Sequence, residues 1–345
     1  MMRAMVLNAP GNVALEDVAM PEVCSGQVLV RITNSGICGT DLKIYKGAIP
    51  AKYPLIMGHE MIGEVMRAED VRGEAADGIR PGDRVIIDPV LFCGTCFHCR
   101  IGQTNLCPNG GLIGRESNGG FAEYAVVPAG QVFRLPDSVD SRTAPLIQVA
   151  TTCLHAQRLT PFFLGESVAV IGLGVSGQLH VQIAKARGAG RVIGISRSAF
   201  KNQLARELGA DVTFESRGGS VVEQVLEATG GRGADLVIEC TGVMSALADA
   251  IRMVRFGGRI VMFGIMSAKE GALPFYDLYY KEITLLNNRA ATAQDFPVTI
   301  DLVARGVVRL EPLVTHHLSL SELEAALDMV EDGAERRLKI ILDHT

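Results

Sequence analysis

The chain contains no tryptophan, and aromatic residues make up only 5% of it. That scarcity weighs against an aromatic platform for stacking bases or sugars. No run of Lys and Arg stands out, and the formal net charge is −5. A duplex-binding footprint needs clustered basic residues, so nucleic acid is not an expected partner. Long apolar runs are also missing; the longest fall well short of the ~18 residues that span a bilayer. The start, MMRAMVLNAPG, reads as a strand and a turn, without the charged head and apolar stretch of a signal peptide. These absences predict a soluble, cytoplasmic protein with no membrane partner.

What is present fits a large folded chain. Of 345 residues, 48% are hydrophobic and 21% charged, enough to bury a sizeable core and unlike a disordered chain. A single core stops growing at about 250–300 residues, so two domains are expected. The 38 glycines follow no collagen-like period and predict tight turns and close backbone approaches. Eight cysteines do not suggest a disulfide scaffold in a chain of this kind. Four of them fall between Cys93 and Cys107, which points to metal.

Residues 1 to about 135 hold short Val- and Ile-rich runs bounded by Gly, Pro or Asp: QVLVRI (27–32), DRVIID (83–88) and AEYAVV (122–127). They predict an antiparallel, barrel-like β unit with long loops. SRTAPLIQVATTCLHAQRL then reads as one helix or two short ones. From residue 167 strand and helix alternate: SVAVIG, GQLHVQIAKARG, RVIGIS, SAFKNQLARELG, ADVTF, SVVEQVLEAT, ADLVIEC, SALADAIRMVR and GGRIVMFGI, closed by EITLLNN (282–288). This is the pattern of a doubly wound parallel sheet, fold class α/β. The tail reads as helix, helix, strand, and can complete the β unit with the α/β unit inserted.

Gly172-Leu173-Gly174-Val175-Ser176-Gly177 is a G-x-G-x-x-G directly after a strand and opening a helix, the context that distinguishes a dinucleotide motif from a structural turn. Gly172 allows the turn, Gly174 lets backbone reach a pyrophosphate, and Gly177 lets the helix pack close to the sheet. The acid expected at the end of the second strand, which would hold the 2′-hydroxyl of NAD, is missing. Ser196 and Arg197 stand there instead and favour a 2′-phosphate, hence NADP over NAD; the alternative is an Arg197 that stacks on adenine or faces solvent.

Cys93-x2-Cys96-x2-Cys99-x7-Cys107 can close a tetrahedron around zinc with no open position, which makes that site structural. His98 inside it is superfluous and reads as exposed. Cys38 in GICGTD and His59 in GHE suggest two glycine-flanked loops converging on an open metal site, or simply core residues. Asp41 could accept the far N–H of His59 and fix its tautomer, and Glu60 follows directly.

With GICGTD (36–41), GHE (58–60), PGDRV (81–85), the four-Cys lobe, GGFAEY (119–124) and GLGVSG (172–177) in order, the sequence resembles the zinc-dependent medium-chain alcohol and polyol dehydrogenases over essentially its whole length. It looks closest to the sorbitol and threonine dehydrogenase branch, through CGTDLKIYKG and PLVTHHLSLSELEAAL. The resemblance implies a GroES-like catalytic domain (1–150 and 289–345) around a Rossmann domain (151–288). It implies two zincs per chain, the catalytic one on Cys38 and His59, with Glu60 as a ligand in some states. The branch places a Glu where Gln148 stands here, which leaves the fourth ligand open between water, Glu60 and Gln148. Zinc lowers the pKa of an alcohol, whose carbon passes hydride to the nicotinamide. Thr40 matches the hydroxyl that takes the alcohol proton, and Lys43 stands where relatives have a proton-relaying His. Tyr45, Glu123 and Arg289 match substrate-lining regions. Thr241, Gly264, Ile265 and Lys339 match approaches to the cofactor. The strand GGRIVMFGI and the segment after it lie where relatives join subunits, so a homodimer or homotetramer is expected.

Two other readings compete. One is a zinc-free quinone or enoyl reductase of the same fold, opposed by the four-Cys lobe and His59. The other is a non-enzymatic zinc protein, opposed by Cys38, Thr40, His59 and Glu60 occurring together.

Overall fold

The structure is a computed structural model and describes residues 1–69, 78–216, 220–266, 268–333 and 336–344. Two compact units divide the chain. The first comprises Met1–Thr151, Thr292–Arg305 and Val314–Thr345; the second comprises Thr152–Ala291 and Gly306–Leu313.

In chain order the first unit opens with β1 (Met2–Ala9), β2 (Asn12–Val18), β3 (Gln27–Gly36), α1 (Gly39–Tyr45), β4 (Leu55–Ile56) and β5 (Glu60–Ala68). There follow β6 (Arg84–Ile87), β7 (Val90–Leu91), α2 (Phe97–Arg100), β8 (Gly111–Leu112), β9 (Tyr124–Pro128), β10 (Val132–Arg134) and α3 (Leu146–Arg158). The second unit holds β11 (Ser167–Ile171), α4 (Val175–Ala186), β12 (Arg191–Ser196), α5 (Ala199–Glu207), β13 (Val212–Glu215) and α6 (Val221–Ala228). It continues through β14 (Ala234–Glu239), α7 (Met244–Met253), β15 (Val254–Met262), α8 (Phe275–Tyr280) and β16 (Thr284–Asn287). The chain returns to the first unit with α9 (Asp295–Ala304), β17 (Val314–Ser319), α10 (Leu323–Asp332) and β18 (Lys339–Asp343).

The first unit is built on a seven-stranded sheet, β10-β6-β5-β3-β18-β17 with β9 also on β3, and a three-stranded sheet, β2-β1-β4. All pairs are antiparallel except β17 with β18. In β3 the alternate residues Val28, Val30 and Ile32 point into a core with Met61, Val85, Ile87 and Val127. A second core gathers Met5, Leu7, Ile44, Met57, Phe121, Leu323 and Leu342. Each such side chain contributes roughly 1.5–3 kcal/mol by leaving water.

The second unit is a six-stranded, wholly parallel sheet in the order β13-β12-β11-β14-β15-β16. The order reverses between β11 and β14, which makes their carboxyl ends the switch point where such sheets take ligands. β11 and β14 are buried on both faces. Val168 and Val170 pack on one side with Val192 and Ile238, and Ala169 and Ile171 on the other with Ile193 and Val237. Ser198 and Ser220 cap α5 and α6 through their hydroxyl oxygens.

Three features differ from the sequence reading. β17 is a half-buried strand whose THHL run shows no apolar alternation, and it forms by pairing with β18. α8 is a six-residue helix in an aromatic run, FYDLYY. Gly306–Leu313 belongs with the second unit, where Gln182 on α4 bonds the backbone of Arg309 in both directions (2.7 and 3.1 Å). No helix among the described residues is long and apolar enough to cross a membrane.

Candidate metal centre and dinucleotide crevice

Cys38 takes the N-cap position of α1 with extended backbone. Its N–H donates to Oδ2 of Asp41 at 2.8 Å, satisfying an orphan donor of the helix start. Oδ1 of the same carboxylate lies 3.2 Å from Nδ1 of His59. One fully buried carboxylate therefore ties the Cys38 turn to the segment that leads into β5. Burial works against a charged imidazole here, but Asp41, with a further contribution from Cys38, outweighs it and raises the His59 pKa well above its ordinary value.

Glu60 opens β5 with its carboxylate fully buried. Space for it exists because residue 36 is glycine: a Cβ there would stand 2.3 Å from Glu60 Oε2. Lys339 on β18 pairs with Oε2 and donates to the carbonyl of Ile37 at 2.9 Å. Glu60 Oε1 has no hydrogen-bond partner among the described residues. One ligand atom from each of Cys38, His59 and Glu60 lies within 4.8 Å of the other two. A thiolate, an imidazole oriented by a carboxylate, and a buried oxygen lacking a donor are a set that zinc fits. Lys339, a candidate for the approach to the cofactor, is buried, and the buried Glu60 carboxylate and the Ile37 carbonyl offset its charge.

The other cluster is a closed one. Sγ separations are 3.4 Å for Cys96–Cys99, 3.6 Å for Cys93–Cys107 and 3.8 Å for Cys96–Cys107. A tetrahedron with Zn–S bonds of about 2.3 Å has edges of about 3.8 Å. Hydrogen bonds from the backbone of Thr95, its hydroxyl and the backbone of Cys96 bring the Cys93 thiol down to about 5. Desolvation and the neighbouring sulfurs push Cys99 up to about 12. All four could be thiolates at this spacing only around a cation, and zinc fits this set too. His98 is half-buried rather than exposed, its Nδ1 3.2 Å from Oε1 of Gln103.

The glycine motif sits at the carboxyl end of β11. Gly172 has φ +91°, and a Cβ there would meet Thr241 Cγ2 at 2.5 Å. A Cβ on Gly177 would meet the Gly172 carbonyl at 2.0 Å. At Gly174 a Cβ would meet nothing within 4 Å, and no side chain caps α4. Open space beside an uncapped helix start suits a pyrophosphate. Val175, half-buried, is the first residue of that helix. Ser196 ends β12 with its hydroxyl oxygen accepting from the Ser198 N–H at 3.1 Å. Arg197 is exposed.

The remaining candidates are placed as follows. The Thr241 hydroxyl donates to Glu239. Gly264 lies so close to Gly242 that a Cβ would stand 2.2 Å from its nitrogen. Ile265 is exposed. Thr40 and Lys43 are half-buried on α1, and Gln148 is buried on α3. The Tyr45 hydroxyl is within hydrogen-bond distance of Glu324 (3.2 Å) and the Gly11 carbonyl (3.3 Å). Glu123 accepts from the backbone and side chain of Arg3 at 2.8 and 3.1 Å. Both groups are thus tied to neighbours far along the chain. Arg289 is exposed beside Asn288, whose Oδ1 is buried without a partner among the described residues. The sequence reading missed Glu239 and Gly36; GICG carried a signal for the glycine, while Glu239 reads only as a strand end.

Comparison with known proteins agrees with this geometry. Residues 24–137 match the alcohol dehydrogenase GroES-like domain, and residues 176–305 match the zinc-binding dehydrogenase domain. A sorbitol dehydrogenase from Halalkalibacterium halodurans is 30% identical over 96% of both chains. A zinc-binding dehydrogenase from Sinorhizobium meliloti 1021, solved bound to NADP, superposes with a TM-score of 0.93 at 33% identity, covering 100% of this chain and 99% of that one. An alcohol dehydrogenase from Escherichia coli CFT073, solved with NADH, gives 0.90 at 29% identity over 99% of both. A GroES-like unit carrying a thiolate–imidazole–carboxylate cluster, joined in sequence to a Rossmann unit with its glycine turn, places the chain in the zinc-type medium-chain alcohol and polyol dehydrogenase family.

Proposed function

We propose that the protein interconverts a secondary alcohol, polyol or sugar acid and its carbonyl, exchanging a hydride with a nicotinamide dinucleotide. The observation that carries this is the Cys38–His59–Glu60 cluster braced by Asp41. Cys38, His59 and Glu60 would hold a catalytic zinc, with Gln148 the candidate neutral ligand. Cys93, Cys96, Cys99 and Cys107 would hold a structural one, two per chain. When bound, the catalytic zinc supplies a Lewis acid for the substrate oxygen. Asp41 keeps the His59 ring oriented. Thr40, in the first turn of α1, is the hydroxyl that would take the substrate proton, and Lys43, three residues on, shares its helix face. Asn288 and Arg289 supply donors suited to hydroxyls or a carboxylate.

NADP is the preferred cofactor in this reading. The end of β12 offers a serine and an exposed guanidinium where NAD-binding proteins place an acid. The solved relatives carry NADP in one case and NADH in the other, so the preference rests on this chain's own residues. The homo-oligomer joins through the β16 edge, and the abundance of free thiols suits the reducing cytoplasm.

The test is a rate panel on zinc-loaded protein. Secondary alcohols, polyols, sugar acids and L-threonine are each offered with NAD⁺ or NADP⁺, and reduced-nicotinamide absorbance is followed. A zinc-dependent rate with one class, faster with NADP⁺, is expected. No rate with any class, at two bound zincs per chain, would overturn the reading.

A further inference from the structure

Glu239 is the last residue of β14 and pairs in register with Ile171, the last residue of β11. It therefore stands at the switch point of the sheet, beside the glycine turn. Its side chain is fully buried. Oε1 accepts the Thr241 N–H at 2.6 Å and the Thr241 hydroxyl. The Gly242 N–H lies 3.0 Å from Oε2 and 3.2 Å from Oε1. Every one of these neighbours is a donor, as an anion requires. No Lys, Arg or His pairs with Glu239 among the described residues. Packing holds the arrangement tightly: a Cβ on Gly264 would stand 2.9 Å from Oε2, and a Cβ on Gly172 would strike Thr241. Glu239 also adds to desolvation and Cys153 in raising the pKa of the adjacent Cys240 thiol.

A buried carboxylate without a cation is an expensive feature to keep for scaffolding alone. A doubly wound sheet binds a dinucleotide with one nucleotide on each half, and the β12 end reads the adenosine ribose. The half that begins with β14 then receives the nicotinamide. That ring carries a positive charge when oxidised and none when reduced. We propose that Glu239 is a specificity-determining residue that discriminates the redox state of the cofactor, favouring the oxidised, cationic nicotinamide over the reduced one. Its charge acts on the difference between the two forms, because adenosine and pyrophosphate are common to both. This rests on the dinucleotide reading of the glycine motif and goes beyond it.

The experiment is equilibrium binding to zinc-loaded protein, by calorimetry for the oxidised cofactor and nicotinamide fluorescence for the reduced one. It uses NADP⁺ with NADPH and NAD⁺ with NADH. Glu239→Gln should raise the ratio of oxidised to reduced Kd at least tenfold, the effect of unit charges about 12 Å apart at an effective permittivity near 20. The change should fall on the oxidised form. Thr241→Val, which removes a donor and keeps the charge, should leave the ratio unchanged even where both affinities drop. Equal weakening of both forms in Glu239→Gln, or no change, would overturn the proposal and leave a scaffolding role. Glu239→Ser is the second neutral variant, and failure of both neutral variants to fold would also decide for scaffolding. A wild-type protein that binds neither cofactor pair would instead overturn the dinucleotide reading itself.

Discussion

Asp88, just after β6, is a buried carboxyl that the chemistry does not use. Burial raises its pKa to about 7, against the Val90 N–H that Oδ1 accepts at 3.0 Å and with Asp295 adding to the rise. Oδ2 has no partner among the described residues. Between its ordinary value of 3.8 and about 7, the folded state holds a proton that the unfolded chain has lost. The stability from this group is present at the acid end of that window and declines as pH rises through it, by roughly 2–4 kcal/mol in all. Asp88→Asn keeps the bond to Val90 and removes the titration. Its melting temperature should match wild type below about pH 4 and exceed it by several degrees near about pH 8. Parallel melting curves across that range would count against a neutral Asp88. Asp41 offers a second case. Asp41→Asn can still accept from the Cys38 N–H, but loses the anion facing His59. Zinc retention against a chelator should weaken about 10–100-fold at one of two sites. Unchanged retention at both would mean that His59 needs no such support.

At the scale of elements, the four-Cys lobe between β7 and β8 has little apolar content to hold it. α2 has only four residues, none of them buried, and Phe97 and Ile101 are exposed. The lobe should order only around its metal. Cys99→Ser should release one zinc per chain and open the lobe to protease while the rest stays folded; a variant that keeps both zincs would contradict the closed site. This lobe was legible in the sequence because its four ligands sit within one short stretch. The parallel sheet was legible for the same reason, since each strand and helix carries its own period. Cys38 and His59 lie in loops apart in the chain, so their residue types and flanking glycines left a metal site and core packing equally open, and the family resemblance favoured the metal site. Lys339 could not be placed from sequence: its partner Glu60 lies on another strand, and nothing local marks the pair. Tyr45 and Glu123 entered as substrate-lining candidates through the family resemblance; their neighbours Glu324 and Arg3 are equally remote in sequence and could not be read from it. Burial of charge is a property of the assembled sheet, which is why Glu239 and Asp88 emerged only from the structure.

For the whole molecule, the six-stranded sheet ends at β16, where Thr284, Leu285 and Asn287 are exposed. Beside it Tyr276 stacks on Tyr280 at 5.5 Å, and Phe256 meets Tyr280 edge-on. Tyr279 is 80% exposed, an unusual state for so large a ring on a lone chain. An open edge presents unpaired N–H and C=O groups that template another strand, and natural proteins cover such edges or charge them. This edge carries no charged side chain within β16. A second copy joined edge to edge would continue the ladder and cover the aromatic patch. Leu285→Lys places a charge on that edge and should weaken association at least 100-fold, read as a shift toward monomer mass in sedimentation equilibrium. A wild-type protein that sediments as a monomer would rule the edge out as an interface. The glycine turn, Glu239 and the Cys38–His59–Glu60 cluster all come from a single chain, so the separated variant should still bind cofactor and both zincs. Loss of either together with separation would mean that pairing of the β16 edge supports the fold of each subunit.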